Sequence, residues 1–196
     1  MTGISRSRRG PASWIVLAAL ACGGRTTTPG KGAVGPEATR IVPLAQAIVL
    51  ETAGPPPPDT SVTFVAGELH TIALRHGPPD NLVFAELTFP PAAFADSGHE
   101  VRVNVKPRPG VYGIDIATSV PLHGKATLTF KYPRYFLAPA KARSTYGDDV
   151  QFERALALGR ILPNGQLALL PSTRPASDNL QADVTTAGSY LVAAAQ

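Results

Sequence analysis

The side chains that could do chemistry are few and scattered along this chain. The four histidines, His70, His76, His99 and His123, never stand three to five residues apart as a local zinc pair requires, and no His-Glu-x-x-His run occurs. No Gly-x-Ser-x-Gly elbow and no glycine-rich phosphate loop is present, which leaves serine hydrolase and nucleotide chemistry without local support. Asp148-Asp149 brings two carboxylates together, but the further oxygen ligands that a calcium loop spaces around such a pair are missing. The reading is therefore no catalytic residue, no metal site and no cofactor. A hydrolase whose groups converge only in three dimensions is the enzymatic alternative. Two features remain. One is Cys22, the single cysteine. The other is the stretch 131–146, where Lys131, Arg134, Lys141 and Arg143 are interleaved with Tyr132, Tyr135, Phe136 and Tyr146. Aromatic anchors beside cations suit a partner surface, for a protein or an acidic polymer, with Lys131, Arg134, Tyr135, Lys141, Arg143 and Tyr146 as its candidate residues. The plainer reading is a crossing connection whose rings cover the end of the fold while the charges stay in water.

The elements that must carry these residues are bounded by composition. The chain has 196 residues, room for one ordinary domain or two small ones and too little for a large multidomain enzyme. At 44% hydrophobic it has enough apolar surface to fold, so disorder throughout is excluded. Twenty prolines, about twice the usual ~5% share, argue against long helices and for many turns and short strands. The net charge of +4 owes most of its size to Arg6, Arg8 and Arg9; without them 15 Lys and Arg face 14 Asp and Glu. A balance of +1 gives no reason to expect a nucleic-acid partner.

Residues 1–21 read as an export signal, with a basic n-region, an apolar run over residues 14–20 and small residues ahead of Cys22. That run is far short of the ~20 residues that span a bilayer. Ala19-Leu20-Ala21-Cys22 resembles the lipobox of bacterial lipoproteins, with Ala19 where the family usually has Leu and Leu20 one place later. The resemblance implies that the Cys22 thiol receives a diacylglyceryl group, that the signal is cut just before it, and that the mature chain is held on a membrane by its acyl chains. A soluble export signal cut elsewhere is the alternative. Gly23 follows the cysteine instead of the Asp that retains some lipoproteins at the inner membrane of enteric bacteria, so the resemblance favours the outer membrane over the inner. Ser7-Arg8-Arg9 is similar to a twin-arginine signal but lacks the apolar pair expected after it.

Residues 22–59 read as the lipidated cysteine and a Pro/Gly-rich tether. Large apolar residues are almost absent from 23–38, and 55–58 are four prolines that form an extended spacer. As a flexible coil the stretch 23–59 would span ~30 to 35 Å. Within it, residues 41–50 suit either a strand or a short helix, and whether they join the domain is open. Beyond residue 59 the apolar pattern has a period of two. Val101, Val103 and Val105 alternate with Arg102, Asn104 and Lys106; Leu128 and Phe130 alternate with Thr127, Thr129 and Lys131; Leu180, Ala182 and Val184 alternate with Gln181, Asp183 and Thr185. Further strands are expected over 61–65, 68–75, 82–89, 111–117, 151–161, 166–170 and 189–194. Residues 150–161 would also suit a helix, but Gly159 and Pro163 cut the run short and favour a strand. Nine or ten strands at this spacing predict an all-β domain over 60–196, a two-sheet antiparallel β-sandwich, with a barrel as second choice.

Phe89-Pro90-Pro91-Ala92-Ala93-Phe94, an alternating strand, and then Val120-Pro121-Leu122-His123-Gly124-Lys125-Ala126-Thr127-Leu128-Thr129-Phe130 together resemble the ZU-type β-sandwich of ankyrin and netrin-receptor tails and of many bacterial surface proteins. The likeness extends over roughly 62–196. It implies a noncatalytic interaction module. Some relatives cleave themselves at a His-Phe-Ser tripeptide near the end of the sandwich; Thr186, Ala187 and Gly188 stand there in this chain, so that chemistry is expected to be absent. The function expected is that of an exported, lipid-anchored protein of the bacterial cell envelope, acting by binding or scaffolding an envelope protein or polymer. An accessory subunit of an envelope assembly is the alternative.

Overall fold

The computed structural model describes residues 33–34, 38–133 and 136–196. In chain order its strands are β1 (Ala33–Val34), β2 (Arg40–Pro43), β3 (Ala47–Val49), β4 (Thr60–Val65), β5 (His70–Arg75), β6 (Val83–Phe89), β7 (Glu100–Pro107), β8 (Gly113–Thr118) and β9 (Ala126–Lys131). Two short helices follow, α1 (Ala140–Tyr146) and α2 (Asp149–Ala155). The chain closes with β10 (Ala157–Ile161), β11 (Gln166–Leu169), β12 (Ser172–Thr173), β13 (Asn179–Val184) and β14 (Gly188–Ala195). The fold is all-β with two antiparallel sheets packed as a sandwich. The smaller runs β1-β12-β13-β9-β6-β5 and the larger β2-β11-β10-β14-β8-β7-β4, with β3 also paired to β14.

Alternation of side chains sets which face is buried. Along β7 the three valines point inward and are buried while Arg102, Asn104 and Lys106 face water. Phe84, Leu87, Phe89, Leu128 and Phe130 of the smaller sheet meet Val103, Val105, Ile114, Tyr190 and Val192 of the larger one in the main core. Phe84 lies at its centre, stacked on Tyr112 at 5.3 Å and edge-on to Phe130 at 5.7 Å.

The larger sheet also rolls on itself. β2 pairs with β11, β11 with β10, β10 with β14 and β14 with β3, and β2 and β3 are separated by only the one-turn 3-10 segment Leu44–Gln46. The ring of pairings thus returns to the same stretch of chain, closing a small barrel at one side of the sandwich. Its interior is a second apolar cluster of Val42, Ala47, Ala157, Leu167, Leu169, Leu191, Ala193 and Ala195. Four of these eight are alanines, and Gly159 faces the same space; so tight a roll has no volume for larger side chains.

Two expectations are corrected. The folded domain begins well before residue 60, because β2 and β3 are integral to the larger sheet. The following connection also lies on it: Leu50 N–H donates to Val192 O at 2.9 Å, Thr52 N–H to Gly110 O at 3.0 Å, and Pro57 is buried. Residues 38–59 are therefore not a free tether. The strand expected over 151–161 is a helix in its first half. Asp148 caps it, its carboxylate accepting from Gln151 N–H at 2.7 Å, and Phe152 and Leu156 turn into the core. Only from Ala157 onward does the chain become strand β10.

Candidate functional site

The connection from β9 to β10 carries the chain from the smaller sheet to the larger, and α1 and α2 form a hairpin on the way. Its rings face inward. Tyr132, Phe136, Phe152 and Tyr146 follow one another with centroids 5.8, 6.2 and 5.8 Å apart, and Tyr112 adjoins Tyr132 at 6.1 Å. One polar network fastens this hairpin to the sheets. The Tyr132 hydroxyl donates to Glu153 Oε1 at 3.2 Å, and Arg174 Nη2 donates to the Glu153 carbonyl oxygen. Arg174 Nη1 lies 3.6 Å from Glu153 Oε1, and its guanidinium sits 5.7 Å from the centre of the Tyr132 ring. Burial lowers the Arg174 pKa to about 10, so it stays charged at neutral pH and is held by the carboxylate and the ring face.

The six candidate surface residues separate accordingly. Lys131 lies on β9 and pairs with Glu86 at 3.2 Å. Lys141 and Arg143 project from α1 into water. Tyr146 is half-buried; its hydroxyl donates to Ala195 O, and burial raises its pKa, with the nearby Arg40 charge offsetting part of the rise. Arg134 and Tyr135 lie outside the described residues, as does Cys22. Among the described members, Lys141 and Arg143 are the fully exposed ones, and their two-residue spacing points them to different sides of α1, flanking the buried Ala142.

The concave feature of this end of the sandwich is a cleft of about 710 Å³ between residues 50–55, residues 76–80 with Leu82, and residues 132–133 and 136–137, with Tyr112 at its floor. A second hollow of about 430 Å³ adjoins it across His76, Leu82 and Tyr132. The larger cleft is mainly apolar, with Leu82 and Leu137 at its lips, 64% and 81% exposed. Glu51 and Asp80 are the only charged residues among its described lining. Burial raises the Tyr112 phenol pKa, a hydrogen bond with Thr52 pulling part of that back, so the floor is neutral over the physiological range. These positions are hard to single out in sequence because Gly77-Pro78-Pro79-Asp80 has the composition of a turn. The signal present is Leu82, two residues after that turn, and Leu137 beside the aromatics of the link.

His70, His76, Asp148 and Asp149 have structural partners. His70 stacks on Phe64 at 4.1 Å and His76 meets the Phe84 edge at 5.4 Å, while His99 and His123 are exposed. Asp148 caps α2 and Asp149 accepts from Ala138 N–H at 3.0 Å. Among the described residues no group of three His, Cys, Asp or Glu could hold a metal, and no helix is long and apolar enough to cross a membrane.

The two stretches that carry the ZU-type likeness touch. His123 and Gly124 N–H both donate to Ala93 O, at 2.9 and 3.2 Å, and the Ala92 carbonyl oxygen occupies the space where any Cβ on Gly124 would stand. At the other end of the domain the Tyr190 hydroxyl donates to Thr186 O at 2.6 Å, just before β14 begins at Gly188. In comparisons with protein-family models, curated proteins and solved structures, nothing matches the chain.

Proposed function

We propose that the chain is a lipid-anchored protein of the bacterial cell envelope whose sandwich is a noncatalytic binding module, and that its partner seats in the cleft at the end of the sandwich. The anchor rests on the sequence before and at Cys22. The ZU-type reading is supported by the packing of residues 91–94 on 121–125, since both stretches of the likeness build one corner. The observation that carries the binding reading is the pair Leu82 and Leu137, large apolar side chains held in water on both lips of an apolar cleft. Exposed apolar surface gathered at a concavity marks an interaction site more often than isolated exposed leucines do.

The test is photo-crosslinking in cells with a photoreactive residue placed at Leu137 or Leu82 of the full chain, and at Lys125 as a distant exposed control. A discrete adduct from both leucine positions and none from Lys125 supports the reading; adducts equal at all three, or none at the leucines, overturn it. Cys22→Ser in the same cells should block incorporation of labelled fatty acid and leave the signal uncut. Equal labelling of parent and variant would sink the anchor.

A further inference from the structure

We propose that β4 pairs edge to edge with β4 of a second copy of this chain, joining two larger sheets into one across a two-fold axis. Among the described residues, β4 hydrogen-bonds to β7 on one flank and to no strand on the other. Unpaired strand edges invite another strand, and proteins normally guard them with charge, proline or a bulge. Thr60-Ser61-Val62-Thr63-Phe64-Val65 has none of these; its pairing with β7 is regular from end to end.

The edge β5 of the other sheet makes the contrast. Its inward Ile72 and Leu74 are fully buried, so that flank of the core is already sealed. On β4 the inward Val62 and Phe64 are only half-buried, the outward Val65 is 45% exposed, and Leu69 in the turn beyond is 68% exposed. The core is thus left open on the β4 side.

Self-pairing fits the sequence of this strand. With Thr63 opposite Thr63 on the axis, antiparallel register puts Val62 against Phe64 of the other copy on the core face and Ser61 against Val65 on the outer face. Every opposed pair then shares a face, and no like charges meet. The apolar flank of each core is covered by the other. Anchoring both copies to one membrane would favour the pairing further by raising their effective concentration. The inference stands apart from the cleft, which is lined by residues of other elements.

Cysteine crosslinking of the full chain in cells tests it. Directly opposed antiparallel residues have Cα atoms ~4.5 to 5.5 Å apart, within disulfide reach. Thr63→Cys should give a reducible dimer on mild oxidation; Ala117→Cys, exposed on β8, should not. Co-expressed Ser61→Cys and Val65→Cys chains should crosslink to each other severalfold better than either does to itself. Adding Val65→Lys to Thr63→Cys should lower the yield severalfold, because an edge lysine opposes strand addition. No dimer at Thr63, a dimer through Thr71→Cys on β5 in its place, or an adduct of Thr63→Cys with a different protein would each overturn the proposal.

Discussion

Gly159 and Leu167 face each other inside the small barrel so closely that a Cβ on Gly159 would lie 2.8 Å from Leu167 Cδ1. Both residues are fully enclosed, and their strands pair directly, Ile161 with Leu167 and Gly159 with Leu169. The glycine is what lets β10 and β11 curl far enough for β2 and β3 to complete the ring. The same residue had argued for a break in a helix; its role is to admit a leucine.

Gly159→Ala should therefore destabilise the domain by ~1 to 3 kcal/mol through overpacking, and Gly159→Val by more. Leu167→Ala alone should cost ~2 to 5 kcal/mol through the cavity it leaves. Combined with Gly159→Ala, it should cost less than the sum, because the new methyl enters the vacated space. Denaturant melts of the four chains measure the coupling. Strict additivity would mean the two side chains do not compete for one volume.

Phe130 and Thr129 test the facing of β9. Phe130 is fully buried between the sheets, so Phe130→Ala should cost ~3 to 5 kcal/mol. Thr129 points to the outer face, is 8% exposed, and donates to Gln181 Oε1 at 3.3 Å; Thr129→Ala should cost ~1 kcal/mol. Equal losses in denaturant melts would mean that the outer face of this sheet is also a packed interior.

The strands legible in sequence are those with one wet face and one dry face, such as β7, β9 and β13, where burial imposes a period of two. What escaped has no such contrast. β10 is covered on both faces, by the main core and by the barrel interior, so Ala157, Leu158 and Gly159 carry no alternation to mark where helix gives way to strand; β14, covered in the same way, is legible only as a continuous apolar run. β2 and β3 are too short to show a period, and their pairing partners lie more than a hundred residues away in the chain. Helix α2 did leave a local signal, the Asp148 cap ahead of Gln151, but Leu158 and Ile161 beyond it extended the apolar run and blurred the change from helix to strand. The cleft was the least legible part, because it is assembled from three connections whose residues look like turns taken singly.

Tyr190 gives an alkaline signature. Burial raises its phenol pKa above the ordinary 10.0, with the Thr186 contact and the Arg160 charge offsetting part of that. In the unfolded chain the phenol loses its proton near pH 10, before the folded one does, so its contribution is present below pH 10 and is lost as pH rises through the folded value. Tyr190→Phe should be ~1 kcal/mol less stable than the parent at pH 8, where the bond to Thr186 is missing, and the gap should narrow above pH 10. Unfolding free energies at pH 8 and pH 11 check the sign. A gap that widens with pH would contradict the assignment.

Helix α1 carries both exposed cations and a half-buried tyrosine, and this gives a test of the candidate surface on it. Lys141 and Arg143 stand in water with no ion pair among the described residues, so Lys141→Glu together with Arg143→Glu should change stability by less than ~1 kcal/mol. Tyr146→Phe, although chemically milder, should cost ~1 kcal/mol because it removes the hydroxyl bond to Ala195 O that ties α1 to the end of β14. On a partner captured through the cleft the order should reverse. Charge reversal on α1, close to the cleft in the same connection, should slow association, with a loss that shrinks as salt rises, whereas Tyr146→Phe should leave association unchanged. Stopped-flow or surface-binding kinetics at two salt concentrations decide it: association that ignores the double reversal would confine α1 to its part in closing the end of the sandwich.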